Sequence, residues 1–204
     1  MMGCMKKTKK QVIFIHGGDT FDSYDKYIAS LKKTKLDFKR ALSKGWKGTL
    51  PAKLGPALPR MPNSLNAKYL EWKIWFDKFI PHMNKEVVLG GNSLGAIFLA
   101  KYLSENRFPK KIKGILLVAP PFKGNDANDS LADFVLPKNM SRLAKYGDKV
   151  HLYHSADDRL VLASDFKRYM EVLPDAKVSL FKDRGHFLGN RFPEIVKDIK
   201  SLYK

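Results

Sequence analysis

The stretch Glu86-Val87-Val88-Leu89-Gly90-Gly91-Asn92-Ser93-Leu94-Gly95-Ala96-Ile97-Phe98-Leu99-Ala100-Lys101 decides the fold. Its first four residues form a short, β-rich apolar run of strand length, and its last six read as a helix that runs to about Asn106. Between them lies the string G-x-S-x-G at Gly91-Asn92-Ser93-Leu94-Gly95. Composition alone produces such a string in roughly one chain of this size in eighteen, so the context carries the reading. A strand that turns directly into a helix strains its tip residue and brings two backbones together, which glycine on either side permits. The product is a serine hydroxyl displayed at a helix N-terminus, where developing negative charge is favoured. A glycine-rich turn with an incidental serine is the plainer alternative.

Outward from this stretch, strands and helices alternate along the chain. Gln11 to His16 reads as a strand ending in Gly17-Gly18, and Asp22 to Lys33 follows with Tyr24, Tyr27, Ile28 and Leu31 at helical spacing. Residues 36–60 are irregular, with a weak strand near Ala57. Asn66 to Phe79 places Tyr69, Trp72, Ile74, Trp75 and Phe79 on one broad helical face, expected in the core. Ile112 to Val118, Lys149 to His154 and Val178 to Phe181 are further strands. Helices are expected over Ala163 to Leu173 and Pro193 to Tyr203. This pattern predicts an α/β fold, a three-layer α/β/α sandwich on a mostly parallel sheet. Right-handed crossovers then bring the C-terminal ends of the strands to one edge, where sites form.

Two further groups fall at that edge. His186 lies in Asp183-Arg184-Gly185-His186-Phe187 beyond the last strand. Of the other histidines, His16 sits at a strand–loop junction, His151 and His154 belong to a strand, and His82 follows a proline beyond a helix. An acid follows the penultimate strand in His154-Ser155-Ala156-Asp157-Asp158-Arg159-Leu160-Val161, where spacing does not choose between Asp157 and Asp158. The chain order serine, acid, histidine differs from the orders of the chymotrypsin and subtilisin folds and agrees with that of the α/β-hydrolases.

The chain resembles the α/β-hydrolases and, more narrowly, the small serine hydrolases of the retinoblastoma-binding-protein-nine (YdeN-like) family. The matching pieces are His16-Gly17-Gly18, Met61-Pro62-Asn63, the Ser93 elbow, Asp157-Asp158 and Gly185-His186-Phe187. Together they span residues 11–203. The resemblance implies a compact α/β-hydrolase fold without a large cap domain. Its acid precedes two variable residues and an apolar one, a frame that Asp158-Arg159-Leu160-Val161 fits and that makes Asp158 the expected partner of His186. Leu162 stands where proline is usual, and Asn92 where histidine is common. By the same resemblance Gly18 joins Leu94 in offering an oxyanion hole. Phe122, Phe187 and the segment Leu131 to Leu136 are expected to line an acyl pocket, and residues 121–148 to form at most a small flap.

The expected activity is cleavage of a carboxylic ester, a thioester or a small amide through an acyl-enzyme on Ser93. A binding protein that keeps the fold without turnover is the alternative. Ser93 at the elbow tip argues against dehalogenases and many epoxide hydrolases, which carry a carboxylate there. No cysteine and histidine spacing suggests a metal, and neither a metal nor an organic cofactor is expected.

Composition sets outer limits. The chain has 204 residues, enough for one domain over 11–204 behind a basic tail over 1–10, and no internal repeat is visible. Hydrophobic residues at 44% and charged residues at 28% are ordinary for a globular protein. No apolar run approaches the ~20 residues that cross a bilayer. Cys4 is the only cysteine, which excludes an intrachain disulfide framework and, with no secretory signal, favours a cytoplasmic location. The net charge of +18 is the outlier. It rests on 30 lysines against 8 arginines spread along the chain, so a solvated lysine surface is favoured over a nucleic-acid footprint. A nucleic-acid or anionic-surface binder remains the third reading.

Overall fold

Six apolar runs, most too short to be helices, assemble into one sheet: β1 Val12–Ile15, β2 Pro56–Ala57, β3 Glu86–Asn92, β4 Lys111–Val118, β5 Val150–Ser155 and β6 Lys177–Phe181. In this computed structural model the described residues are 10–35, 45–123 and 131–204. The expected tail therefore lies outside them except for Lys10, as does 124–130 of the expected flap. Strand order is β2-β1-β3-β4-β5-β6, and every pairing is parallel. The weak strand at Ala57 is the two-residue edge beside β1.

The helices are α1 Tyr24–Lys33, α2 Tyr69–Phe79, α3 Leu94–Glu105, α4 Ser141–Ala144, α5 Ala163–Val172 and α6 Pro193–Ser201. Because strand side chains alternate, each strand serves both faces of the sheet. Ile13 and Ile15 of β1 join the core under α2, α3, α4 and α5, whereas Val12 and Phe14 join the core under α6 and the segment Trp46 to Leu54. Both faces are covered, which makes the three-layer sandwich. Parallel strands buried on both sides need continuous apolar sequence, and Ile115 to Val118 provides it.

α2 corrects one expectation. Tyr69, Trp72 and Phe76 are its buried residues, while Ile74 and Trp75 are exposed. The helix also begins at Tyr69, three residues later than the sequence suggested. Lys68 is extended, and the Tyr69 amide is capped from a distance by the Asp133 carboxylate, 2.9 Å to either oxygen. Trp72, fully buried, donates its indole N–H to the Pro62 carbonyl at 2.8 Å. A fully buried side chain of this kind contributes about 3 kcal/mol.

On the opposite face α6 is tied to the sheet by a polar cluster. Asp198 accepts a 2.7 Å hydrogen bond from the buried Tyr153 hydroxyl and an ion pair from Lys177. Among the described residues no helix is long and apolar enough to cross a membrane.

Candidate active site

All three sequence-predicted reacting groups follow strands at the C-terminal edge of the sheet: Ser93 after β3, Asp158 after β5 and His186 after β6. Ser93 sits at φ +54° and ψ −121°, a conformation sparsely populated by residues with a side chain. The close approach expected of the elbow is present. A Cβ on Gly95 would lie 2.5 Å from the carbonyl oxygens of Ile15 and His16, and one on Gly91 would overlap the Gly95 carbonyl.

His186 and Asp158 are joined. The imidazole Nδ1 donates to Asp158 Oδ2 at 2.8 Å, and Asp158 Oδ1 accepts from the Leu160 and Val161 amides at 2.9 and 3.1 Å. Burial would raise the Asp158 pKa, but the bond from His186 and the two amides outweigh it and hold the carboxyl below its usual value. With Nδ1 donating, a neutral His186 carries its lone pair on Nε2. Asp157 does different work. Its Oδ1 accepts from the Ser155 hydroxyl at 2.5 Å and from the Gly185 amide at 2.8 Å, bracing the loop that carries the histidine.

Ser93 and His186 line one cleft of about 1070 Å³, together with Gly18, Leu94, Phe122, Leu131, Val135 and Leu160. Among the described hydrogen bonds none joins the Ser93 hydroxyl to the imidazole; such bonds are often loose before substrate binds. Leu94 opens α3, so its amide has no partner within the helix. Gly18 stands beside it across the cleft floor: a Cβ there would meet a Leu94 methyl at 3.3 Å. Phe122 lines the cleft with its ring edge-on to Tyr169 at 5.0 Å.

Phe187 is a correction. It adopts φ +54°, is buried, and packs in the core on the α6 face against Phe192 at 5.0 Å, while its carbonyl accepts from the Trp46 indole. The left-handed backbone turns the side chain of Phe187 away from the cleft that His186 lines.

Two neighbours escaped the sequence reading. Asp165 of α5 is a buried carboxyl in the cleft wall, its pKa raised by burial. Lys47, its pKa lowered by burial, reaches Oδ1 of Asn92, the residue before Ser93, at 3.3 Å. One acid in the first turn of a helix and one lysine in a lysine-rich chain carry no distinguishing signal. His16 is structural in geometry: Nδ1 bonds the Gly17 carbonyl and Nε2 accepts from the Met61 amide at 2.9 Å. Among the described residues no cluster of three histidine, cysteine or acidic side chains could hold a metal.

His16, His151 and His154 share one consequence. Burial lowers the pKa of each below 6.5. Below that value the unfolded chain takes up protons that the folded chain refuses, so stability falls as pH drops. The melting temperature should therefore be lower at about pH 5.5 than at about pH 7.5, and His154→Gln should flatten the difference. Equal melting temperatures by circular dichroism would contradict this.

A parallel sheet with a strained serine elbow, an acid after β5 and a histidine after β6 defines the α/β-hydrolase fold class. The chain matches the sequence pattern of the Serine hydrolase family over residues 41–191 and belongs to that family. It is 24% identical over 146 residues to the serine hydrolase RBBP9 of Rattus norvegicus, covering 70% of this chain and 74% of that protein. In fold it is similar to the ydeN gene product of B. subtilis, with TM-score 0.74 and 20% identity over 96% of this chain and 99% of the other. A monoacylglycerol lipase from Paleococcus ferrophilus is a more distant likeness, with TM-score 0.55 and 17% identity over 96% and 95% of the two chains.

Proposed function

We propose that the protein cleaves carboxylic esters through an acyl-enzyme on Ser93, with His186 as general base and Asp158 orienting it. The observation that carries this reading is the 2.8 Å His186–Asp158 pair on the same cleft as the strained Ser93. His186 Nε2 takes the Ser93 proton as the oxygen attacks the acyl carbonyl, and the Asp158 carboxylate stabilises the imidazolium that results. The Leu94 and Gly18 amides receive the oxyanion, each worth about 3 kcal/mol in such sites. The imidazolium then protonates the departing alcohol. Water, deprotonated by the same nitrogen, releases the acid and restores the serine hydroxyl. Thioesters and small amides fit the same chemistry. Phe122 and the segment around Leu131 and Val135 supply an apolar wall for the acyl chain.

The test is covalent labelling with a fluorophosphonate, followed by peptide mass mapping and a panel of esters from short to long chain. A single adduct on Ser93 with ester turnover is the expected result. Folded protein that neither labels nor hydrolyses any ester would favour a binding role on this fold.

A further inference from the structure

Beyond β4 the chain turns at Ala119, whose φ is +44°, and runs through Pro120 and Pro121 to Phe122 in the cleft lining. Its start is tied to the nucleophile: the Ser93 amide donates to the Val118 carbonyl at 2.8 Å. The two prolines have no N–H, so Phe122 and Lys123 carry the next backbone donors, and neither belongs to a helix or strand. Both amides turn to one side chain, the carboxyl of Asp165, with the Lys123 amide reaching Oδ1 at 3.3 Å. The Pro121 carbonyl accepts from the Tyr169 hydroxyl at 3.1 Å.

Asp165 and Tyr169 stand one turn apart on α5, and Arg168 shares their side of the helix. The Phe122 ring lies edge-on to Tyr169 at 5.0 Å, and the Arg168 guanidinium is 5.8 Å from its centre. One side of α5 thus holds the backbone of Pro121 to Lys123 by hydrogen bonds and the Phe122 ring by contact. Asp165 is buried and Tyr169 is fully so. A buried carboxyl costs stability unless its oxygens find donors, and the chemistry on Ser93 gives Asp165 no part. What its acceptors do is fix the segment that carries Phe122.

We propose that Asp165 is a positioning residue for the acyl wall: by holding the Phe122 and Lys123 amides it fixes the Phe122 ring in the cleft and so sets the preference for longer acyl chains. The proposal rests on the ester-hydrolase reading above and adds what determines its selectivity. An acetyl group has a single methyl to offer this wall and an octanoyl group a whole chain, so the contribution of Phe122 grows with acyl length. Tyr169 serves the same end through the Pro121 carbonyl. The helix also follows directly on the turn that holds the catalytic acid, since Val161, whose amide bonds Asp158, lies four residues before Asp165. Acid and acyl wall are therefore set by adjoining segments.

The experiment measures kcat and KM on nitrophenyl acetate, butyrate and octanoate, with fluorophosphonate labelling and thermal melts alongside. Wild type is compared with Asp165→Ala, Asp165→Asn, Tyr169→Phe, Phe122→Ala and the double variant Asp165→Ala/Phe122→Ala. Asp165→Ala should lose about tenfold in kcat/KM on octanoate and about twofold on acetate, the loss carried by KM. Tyr169→Phe, which removes one hydroxyl and keeps the ring, should shift the same ratio in the same direction. Asp165→Asn keeps an oxygen acceptor and should recover most of the loss. The double variant should do no worse than Phe122→Ala, because without the ring nothing is left to position. Losses equal at every chain length, or losses that add in the double variant, assign Asp165 to folding alone and overturn the proposal. So does Asp165→Asn as impaired as Asp165→Ala, since charge and not position is then what matters. Phe122→Ala with wild-type octanoate kinetics removes the acyl wall and leaves the hydrolase standing. Folded wild type that neither labels nor turns over any of the three esters removes the hydrolase reading, and this inference with it.

Discussion

Ser93→Ala should lower ester turnover by about 10⁶-fold and leave the fold intact. Alanine meets the same backbone strain at φ +54° that serine already bears, so circular dichroism and the melting temperature should change little. His186→Ala should cost nearly as much, and the double variant no more than either alone, because the two act as one unit. The two aspartates separate more sharply. Asp158→Asn should lose about 10⁴-fold in kcat, since an amide at that position favours the wrong imidazole tautomer. Asp157→Asn should lose far less, because its hydrogen bonds go to Ser155 and Gly185 and not to the imidazole. Single-turnover kinetics on an aryl ester, alongside thermal melts, would measure all four. Equal losses at 157 and 158 would refute the assignment of the acid.

The geometry behind these expectations was legible in the sequence to unequal degrees, for physical reasons. The elbow could be read because its constraint is local: a strand, a strained tip and two close backbone approaches leave few residue choices at 91, 93 and 95. The sheet edge could be read because parallel connections of one hand leave little freedom in where strands end. The choice between Asp157 and Asp158 could not be made from spacing, because it depends on a turn. Asp158 donates its amide to the Ser155 carbonyl at 3.1 Å, and its carboxylate collects the amides of Leu160 and Val161. Phe187 was misplaced because the direction of a loop side chain is set by one dihedral, and its φ is left-handed. The phase of α2 was misread for another reason. Tyr69, Leu70, Trp72, Ile74, Trp75, Phe76 and Phe79 surround the helix, so no polar face marks which side meets the sheet.

The elbow is also where a single methyl group should do most damage to the fold. Gly95→Ala places a Cβ 2.5 Å from the carbonyl oxygens of Ile15 and His16, and those atoms belong to the backbone at the end of β1, which cannot swing aside as a side chain would. Either α3 tilts away from the sheet or β1 shifts. Overpacking of this kind costs about 3 kcal/mol, which for a chain of this size lowers the melting temperature by roughly 6–12 °C. The same displacement moves the Leu94 amide relative to Gly18, and a shift near 1 Å at an oxyanion site costs about 10²-fold in rate. Stability and turnover should therefore fall together. Gly189→Ala provides the comparison. No heavy atom lies within 4 Å of the Cβ it would add, so its stability should stay within about 0.5 kcal/mol of wild type. Thermal melts of both variants, with kcat on an aryl ester, decide the matter. If Gly95→Ala melts with wild type, then β1 and α3 do not meet through backbone, and the strain at Ser93 must be held by something other than the approach of these two elements.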